Sequence, residues 1–93
     1  MQIQHDVLPN GGIFFIEKQQ YKLAEITYIW KNQSIIIANH TWVDDSLRGQ
    51  GVARELLDAL VNFTRQNKLK IIPTCSYVDV IFKRDQSFRD VIA

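Results

Sequence analysis

An α+β fold built on a mixed sheet is predicted for these 93 residues by three observations. Apolar and β-branched stretches joined by short polar turns fill residues 13–43 and read as an antiparallel meander. A glycine turn, Arg48-Gly49-Gln50-Gly51-Val52-Ala53, then opens directly onto an amphipathic helix pattern. A short apolar strand after that helix completes a βαβ crossover, whose two strands should lie parallel. The expectation is a mostly antiparallel sheet of about five strands. The crossover carries the glycine turn, and a second short helix follows it.

Residues 1–12 read as a poorly ordered lead-in with room for one short strand at its start, closed by the turn signal Pro9-Asn10-Gly11-Gly12. Ile13 to Glu17 is a short apolar run rich in aromatics and suits a strand. Tyr21 to Trp30 alternates, with Tyr21, Leu23, Glu25, Thr27 and Ile29 on one face and Lys22, Ala24, Ile26, Tyr28 and Trp30 on the other. Lys31-Asn32-Gln33 is a hairpin-like turn into the β-branched run Ser34 to Val43. After the glycine turn, Val52, Ala53, Leu56, Leu57, Leu60, Val61 and Phe63 recur at helical spacing, and Asn67-Lys68 ends the helix. Lys70-Ile71-Ile72-Pro73 is a strand closed by proline. Ser76 with Asp79 three residues on marks a capping-box-like start, with Val78, Ile81 and Phe82 as the apolar face. Lys83-Arg84-Asp85 ends that helix, and Phe88, Val91 and Ile92 are expected to fold back as an apolar anchor.

Composition bounds the function. The length suits one minimal domain, residues 1–93. A hydrophobic share of 46% with 23% charged residues is ordinary for a folded globular protein. A formal net charge of +1 argues against a nucleic-acid binder. No apolar run approaches the roughly 18 residues of a membrane span, and the polar start lacks a signal-peptide layout. The expected location is therefore cytoplasmic. A single cysteine, Cys75, makes neither an internal disulfide nor a zinc cluster, and no metal is expected.

The glycine turn is the candidate site. First-turn N–H groups of a helix have no intrahelical partner, and the helix dipole adds about half a positive charge there. A strand, a glycine turn and a helix N-terminus together make a ready phosphate site. The plainer reading is a tight strand-to-helix junction without a ligand.

In context these residues resemble the GNAT superfamily of N-acetyltransferases, in particular its short stand-alone YjdJ-type branch. That family's motif is Arg or Gln, two residues, Gly, one residue, then Gly or Ala, matched here by Arg48, Gly51 and Ala53. Flanking it are His40-Thr41, Val43, Asp44 and Ser46-Leu47 before, the amphipathic helix after, and Lys70-Ile71-Ile72-Pro73 with Cys75 downstream. The resemblance runs from about residue 13 to 92 and implies the GNAT fold, a three-layer-like arrangement. It also implies acetyl-CoA as co-substrate. The backbone of Arg48, Gly49, Gln50, Gly51, Val52 and Ala53 would meet the pyrophosphate, and the strand edge at Trp42 and Val43 would pair with the pantetheine amides. Splaying of that strand from Lys70–Pro73 would leave a slot for the thioester. The implied activity is acetyl transfer to an amine of a small molecule or protein, by a monomer or weak dimer. The competing reading is a non-catalytic CoA- or acyl-CoA-binding module.

Acetyl transfer needs a deprotonated amine, a polarised thioester and a protonated leaving thiolate. Many family members supply a tyrosine from the helix after the fifth strand as the acid, and Ile81 stands at the matching position here. Tyr77 is the nearest phenol. Cys75, between the end of the parallel strand and the next helix, is a candidate acetyl acceptor or part of the acid machinery, against the plainer fate of a small buried hydrophobe. His40 is a candidate general base acting with Cys75, against a structural role in an apolar strand. Glu25 and Asp44 are weaker candidates at the amine, Lys83 and Arg84 at the CoA 3′-phosphate, and His5 reads as solvated.

Overall fold

The computed structural model describes residues 2–93. Five strands lie side by side in chain order: β1 (Gln4–Leu8), β2 (Gly11–Lys18), β3 (Tyr21–Trp30), β4 (Ile35–Val43) and β5 (Lys70–Pro73). The first four run antiparallel to their neighbours, and β5 joins β4 in parallel. Helix α1 (Val52–Gln66) makes the crossover and α2 (Ser76–Arg84) follows β5. The mixed sheet expected from the sequence is therefore observed.

One face of the sheet builds the core. Ala24, Ile26 and Tyr28 of β3 and Ile36 and Ala38 of β4 meet Leu56, Leu57 and Leu60 of α1 and Val78 and Phe82 of α2 in one continuous cluster. The predicted α1 stripe is the one that is buried, extended by Thr64, whose Oγ1 donates to the Leu60 carbonyl at 2.8 Å. That local bond lets a hydroxyl sit in an apolar layer without an unpaired polar atom. Both helices pack on this same face. The opposite, outer face carries no helix among the described residues.

The lead-in carries the short strand that the sequence left room for, and the residue misread there is His5. Residues 4–8 form an edge strand in register with β2, from Gln4 opposite Phe15 to Leu8 opposite Gly11, and Met1 lies outside the described residues. His5 is the reason. Its ring stacks on Phe14 at 4.0 Å, and its Nε2 lies 2.8 Å from the Tyr28 hydroxyl. A residue read as solvated is thus the side chain that ties β1 to the core. Gly11 and Gly12 likewise serve more than a turn. A Cβ on Gly11 would strike the Tyr28 backbone carbonyl, and one on Gly12 the Tyr28 ring, so only glycine lets β2 lie this close to β3.

A β-bulge shapes the far half of β4. The register passes from Tyr28 opposite Ala38 to Thr27 opposite His40, leaving Asn39 as the extra residue, and the Thr27 hydroxyl donates to the Asn39 side-chain oxygen at 2.6 Å. A bulge of one residue exchanges the faces of everything after it. Ile36 and Ala38 point to the core, but beyond the bulge the core face is Thr41 and Val43. His40 and Trp42 turn outward.

The end of the chain folds back as expected. Residues Gln86–Val91 form a 3-10 turn with Phe88 and Val91 buried. Arg54 of α1 reaches Asp85 at 2.8 Å and lies over the Phe88 ring, while Arg65 grips Asp90 at 2.9 Å. The capping box is not formed. Cys75 occupies the N-cap of α2 without a side-chain cap bond, Ser76 is already helical, and Asp79 pairs with Lys83 at 2.9 Å. An Asp side chain is one methylene short of the Glu that normally reaches back in this motif.

Candidate active site

The loop from β4 to α1 is built to present backbone. Asp44 caps a short 3-10 turn, Asp45–Leu47, accepting from the Ser46 amide at 3.0 Å and its hydroxyl at 2.6 Å. These bonds hold the Asp44 carboxyl below its usual range and mark it as a structural cap. Gly49 and Gly51 follow with φ of 79° and 74°, the left-handed region where an L side chain costs about 1–2 kcal/mol. Gly51 is the N-cap of α1 and, having no side chain, leaves the first-turn N–H groups uncapped. A Cβ at either glycine would meet nothing within 4 Å. Their glycine requirement is thus conformational, set by the left-handed backbone and not by crowding.

Those amides open onto a cleft of about 230 Å³ lined by Val43, Leu47, Arg48, Gly49, Gly51, Val52, Ala53, Arg54 and Tyr77. The sequence reading placed Val43, Arg48, Gly49, Gly51, Val52 and Ala53 together, and the structure brings them together. Gln50 is apart, its amide nitrogen 3.4 Å from the Ser46 carbonyl. Arg48 stands at the rim, exposed and 2.9 Å from Asp45. Arg54 and Tyr77 complete the wall. Arg54 was not singled out by sequence, although its place three residues after Gly51 puts it in the first turn of α1. Burial pushes the Tyr77 phenol above its ordinary value, which keeps it protonated near neutral pH. Ile81, at the position where the family pattern has its phenol, packs instead against the core.

The two strands part beside this cleft. Pairing between β4 and β5 ends at Ala38 opposite Pro73, and the amides of Thr74 and Cys75 both turn to the Ala38 carbonyl at 3.0 Å. Beyond the bulge, residues 40–43 of β4 then continue paired in register with β3 alone. Cys75 sits half-buried at this junction, its Sγ 3.4 Å from Thr41 Oγ1 on the core side. His40 lies on the outer side, its Nε2 3.1 Å from Glu25 Oε2. His40 and Cys75 therefore do not face one another, because Thr41 and the bulge place them on opposite faces. Trp42 is outward and 40% exposed. Lys83, paired with Asp79, lies on a helix end outside the cleft lining. Among the described residues no cluster of His, Cys, Asp or Glu could hold a metal ion, and no helix is long and apolar enough to cross a membrane.

Comparison with known proteins agrees with this architecture. Protein NATD1 of Gallus gallus and of Homo sapiens are each 32% identical over 62 residues, which is 67% of this chain and 56% and 55% of theirs. The chain thus spans about half the length of these curated relatives. A solution structure of a GCN5-like protein from Staphylococcus aureus is 37% identical, superposes with a TM-score of 0.76, and is matched over 97% of this chain and 87% of its own. A GNAT family acetyltransferase from Elizabethkingia anophelis, solved with acetyl-CoA bound, shares the fold at a TM-score of 0.63 and 10% identity, over 81% of this chain and 52% of its own. The family of GCN5-related N-acetyl-transferases matches residues 13–91, from the first core strand to the C-terminal anchor. The chain belongs to the GCN5-related N-acetyltransferase family.

Proposed function

We propose that this chain is an acetyl-CoA-dependent N-acetyltransferase that acylates an amine. The observation that carries the reading is the uncapped N-terminus of α1, with left-handed Gly49 and Gly51 lining a cleft that Val43 of β4 and Tyr77 of α2 also line. The amides of residues 48–53 suit the pyrophosphate, because backbone donors and the helix dipole bind anions without a desolvated cation. The β4 edge at Trp42 and Val43 suits the pantetheine amides, and the gap beyond Pro73 suits the thioester.

In the proposed reaction His40 takes one proton from the substrate ammonium on the outer side. The freed nitrogen attacks the thioester carbonyl carbon and forms the C–N bond, and the C–S bond breaks. The departing sulfur takes a proton from the start of α2, where Tyr77 lines the cleft and Cys75 holds the N-cap, and the second nitrogen proton restores that donor. Amine and thioester thus become amide, CoA thiol and one released proton. Cys75 remains the proposed group for a covalent route, in which its sulfur would carry the acetyl before the amine. A CoA-binding module without turnover is the second reading, resting on Ile81 where the family has its phenol.

The test is CoA binding by calorimetry with intact-mass spectrometry after incubation with acetyl-CoA. Gly51→Asp puts a carboxylate against the pyrophosphate and should weaken CoA at least about tenfold, roughly 1.4 kcal/mol, with the fold intact. A folded wild type without CoA affinity would overturn the reading. A hydroxylamine-labile acetyl adduct on the wild type, absent in Cys75→Ala, marks the covalent route; binding with no adduct marks direct transfer or the module without turnover.

A further inference from the structure

The outer sheet face holds a side-chain cluster that is part of neither the core nor the cleft lining at the start of α1. Glu25 of β3 is directly opposite Trp42 of β4, and Glu25 Oε2 is 3.1 Å from His40 Nε2. The bulge at Asn39 brings these three side chains onto one face, at the point where β5 leaves β4. The Glu25 side chain is 21% exposed and the Trp42 residue 40% exposed. The remaining charge is Lys22, whose Nζ is 3.8 Å from the other Glu25 oxygen, Oε1. Thr27 and Asn39 border the cluster as neutral groups.

We infer that Glu25 and Trp42 form the acceptor subsite, and that it takes a primary alkyl ammonium whose nitrogen is remote from any carboxylate. The inference rests on the acetyltransferase reading above and names its substrate class. An ammonium is a compact charge with three donors, which a carboxylate accepts, while an open indole face attracts the same charge and supports the adjoining methylenes. A carboxylate next to the amine, as in an α-amino acid, would be brought close to Glu25 and repelled. With the ammonium at Glu25, His40 is the adjacent group that can take its proton. Lys22 competes for the same carboxylate, so removing it should raise the affinity for an added ammonium.

The experiment is an NMR titration of the whole chain near neutral pH with n-butylammonium chloride as probe, n-butanol as its neutral counterpart and glycine as the zwitterion. Expected are saturable shifts of the Trp42 indole N–H and the His40 ring with the ammonium, and none with butanol or glycine. Glu25→Gln should abolish the response, Trp42→Leu should weaken it at the His40 ring, and Lys22→Gln should tighten it several-fold. Dispersed amide spectra establish that each variant is folded. An unchanged response in Glu25→Gln, equal shifts with butanol, or no saturable response would overturn the subsite. CoA calorimetry on the same samples separates the two ideas. CoA binding without an ammonium response sinks only the subsite, whereas a wild type blind to CoA sinks the acetyltransferase reading beneath it.

Discussion

His5 shows how much one side chain near the chain start can hold. Burial among Phe14, Tyr28 and Phe63 lowers its pKa from the ordinary 6.5, with Asp6 opposing. The sign follows from proton uptake. Below about pH 6.5 the unfolded chain binds a proton that the folded chain resists, so stability is full above that value and declines as the pH falls toward the lowered folded value. The expected outcome is a Tm that drops between pH 7 and pH 5 in the wild type. In His5→Phe, which keeps the stack on Phe14 and removes the titration, that drop should shrink. Equal slopes in both proteins would show that the imidazole is not the group responsible. Tyr28 shares the environment, and burial raises its phenol correspondingly.

Strand geometry decides which residues meet. Gly11 and Gly12 let β2 lie against Tyr28, so Gly11→Ala forces backbone apart in a sheet that has no slack there. Overpacking of this kind costs about 1–3 kcal/mol. Urea unfolding should report that loss, while CoA affinity of the folded protein stays near the wild-type value because α1 and its glycine turn are untouched. Gly49→Ala is the contrasting case: its Cβ enters open space and only the left-handed backbone is penalised. The bulge is the other decisive device. Deleting Asn39 would remove the bulge and leave His40 next after Ala38, still on the outer face opposite Thr27. The His40–Glu25 contact should therefore persist in NMR spectra; its loss would show that the face His40 takes does not follow from strand alternation.

Over the whole molecule, the C-terminal turn closes the end of the core beneath α1 and β5. Phe88 and Val91 are buried, Ile92 bridges Ile71, and Arg54 and Arg65 of α1 hold Asp85 and Asp90. Truncation after Asp85 removes two buried apolar side chains worth about 1.5–3 kcal/mol each, which a domain of this size can ill spare. Thermal unfolding of the truncated chain should show a much lowered Tm or no cooperative transition. Bonds from Ser87 and Arg54 hold the Asp85 carboxyl below its ordinary range, and Arg65 does the same for Asp90. Their contribution is present above about pH 4 and is lost as the pH falls through the lowered folded values. Asp85→Asn with Asp90→Asn should therefore flatten the acid limb of the stability curve below about pH 4. An unchanged limb would assign acid unfolding to other carboxylates.

Sequence by itself determined what depends on neighbours along the chain. Alternation in residues 24–30, the helical stripe from Val52 to Val61 and the proline after Ile72 each express a local period or a fixed φ, and each element formed where that signal lay. A second register shift, at Leu23, instead moved Lys22 to the Glu25 face. The glycine turn was legible for the same reason, since a left-handed backbone before an uncapped helix needs only the residues 48–53. Tertiary structure alone decided which face each side chain took. His40 and Cys75 look like partners in sequence, but one extra residue at Asn39 sends them to opposite sides of the sheet and gives His40 to Glu25. His5 joined the core through Tyr28, 23 positions away, and Arg54 met Asp85, 31 positions away. Contacts of that kind follow from register and packing between distant segments, and no local pattern encodes them.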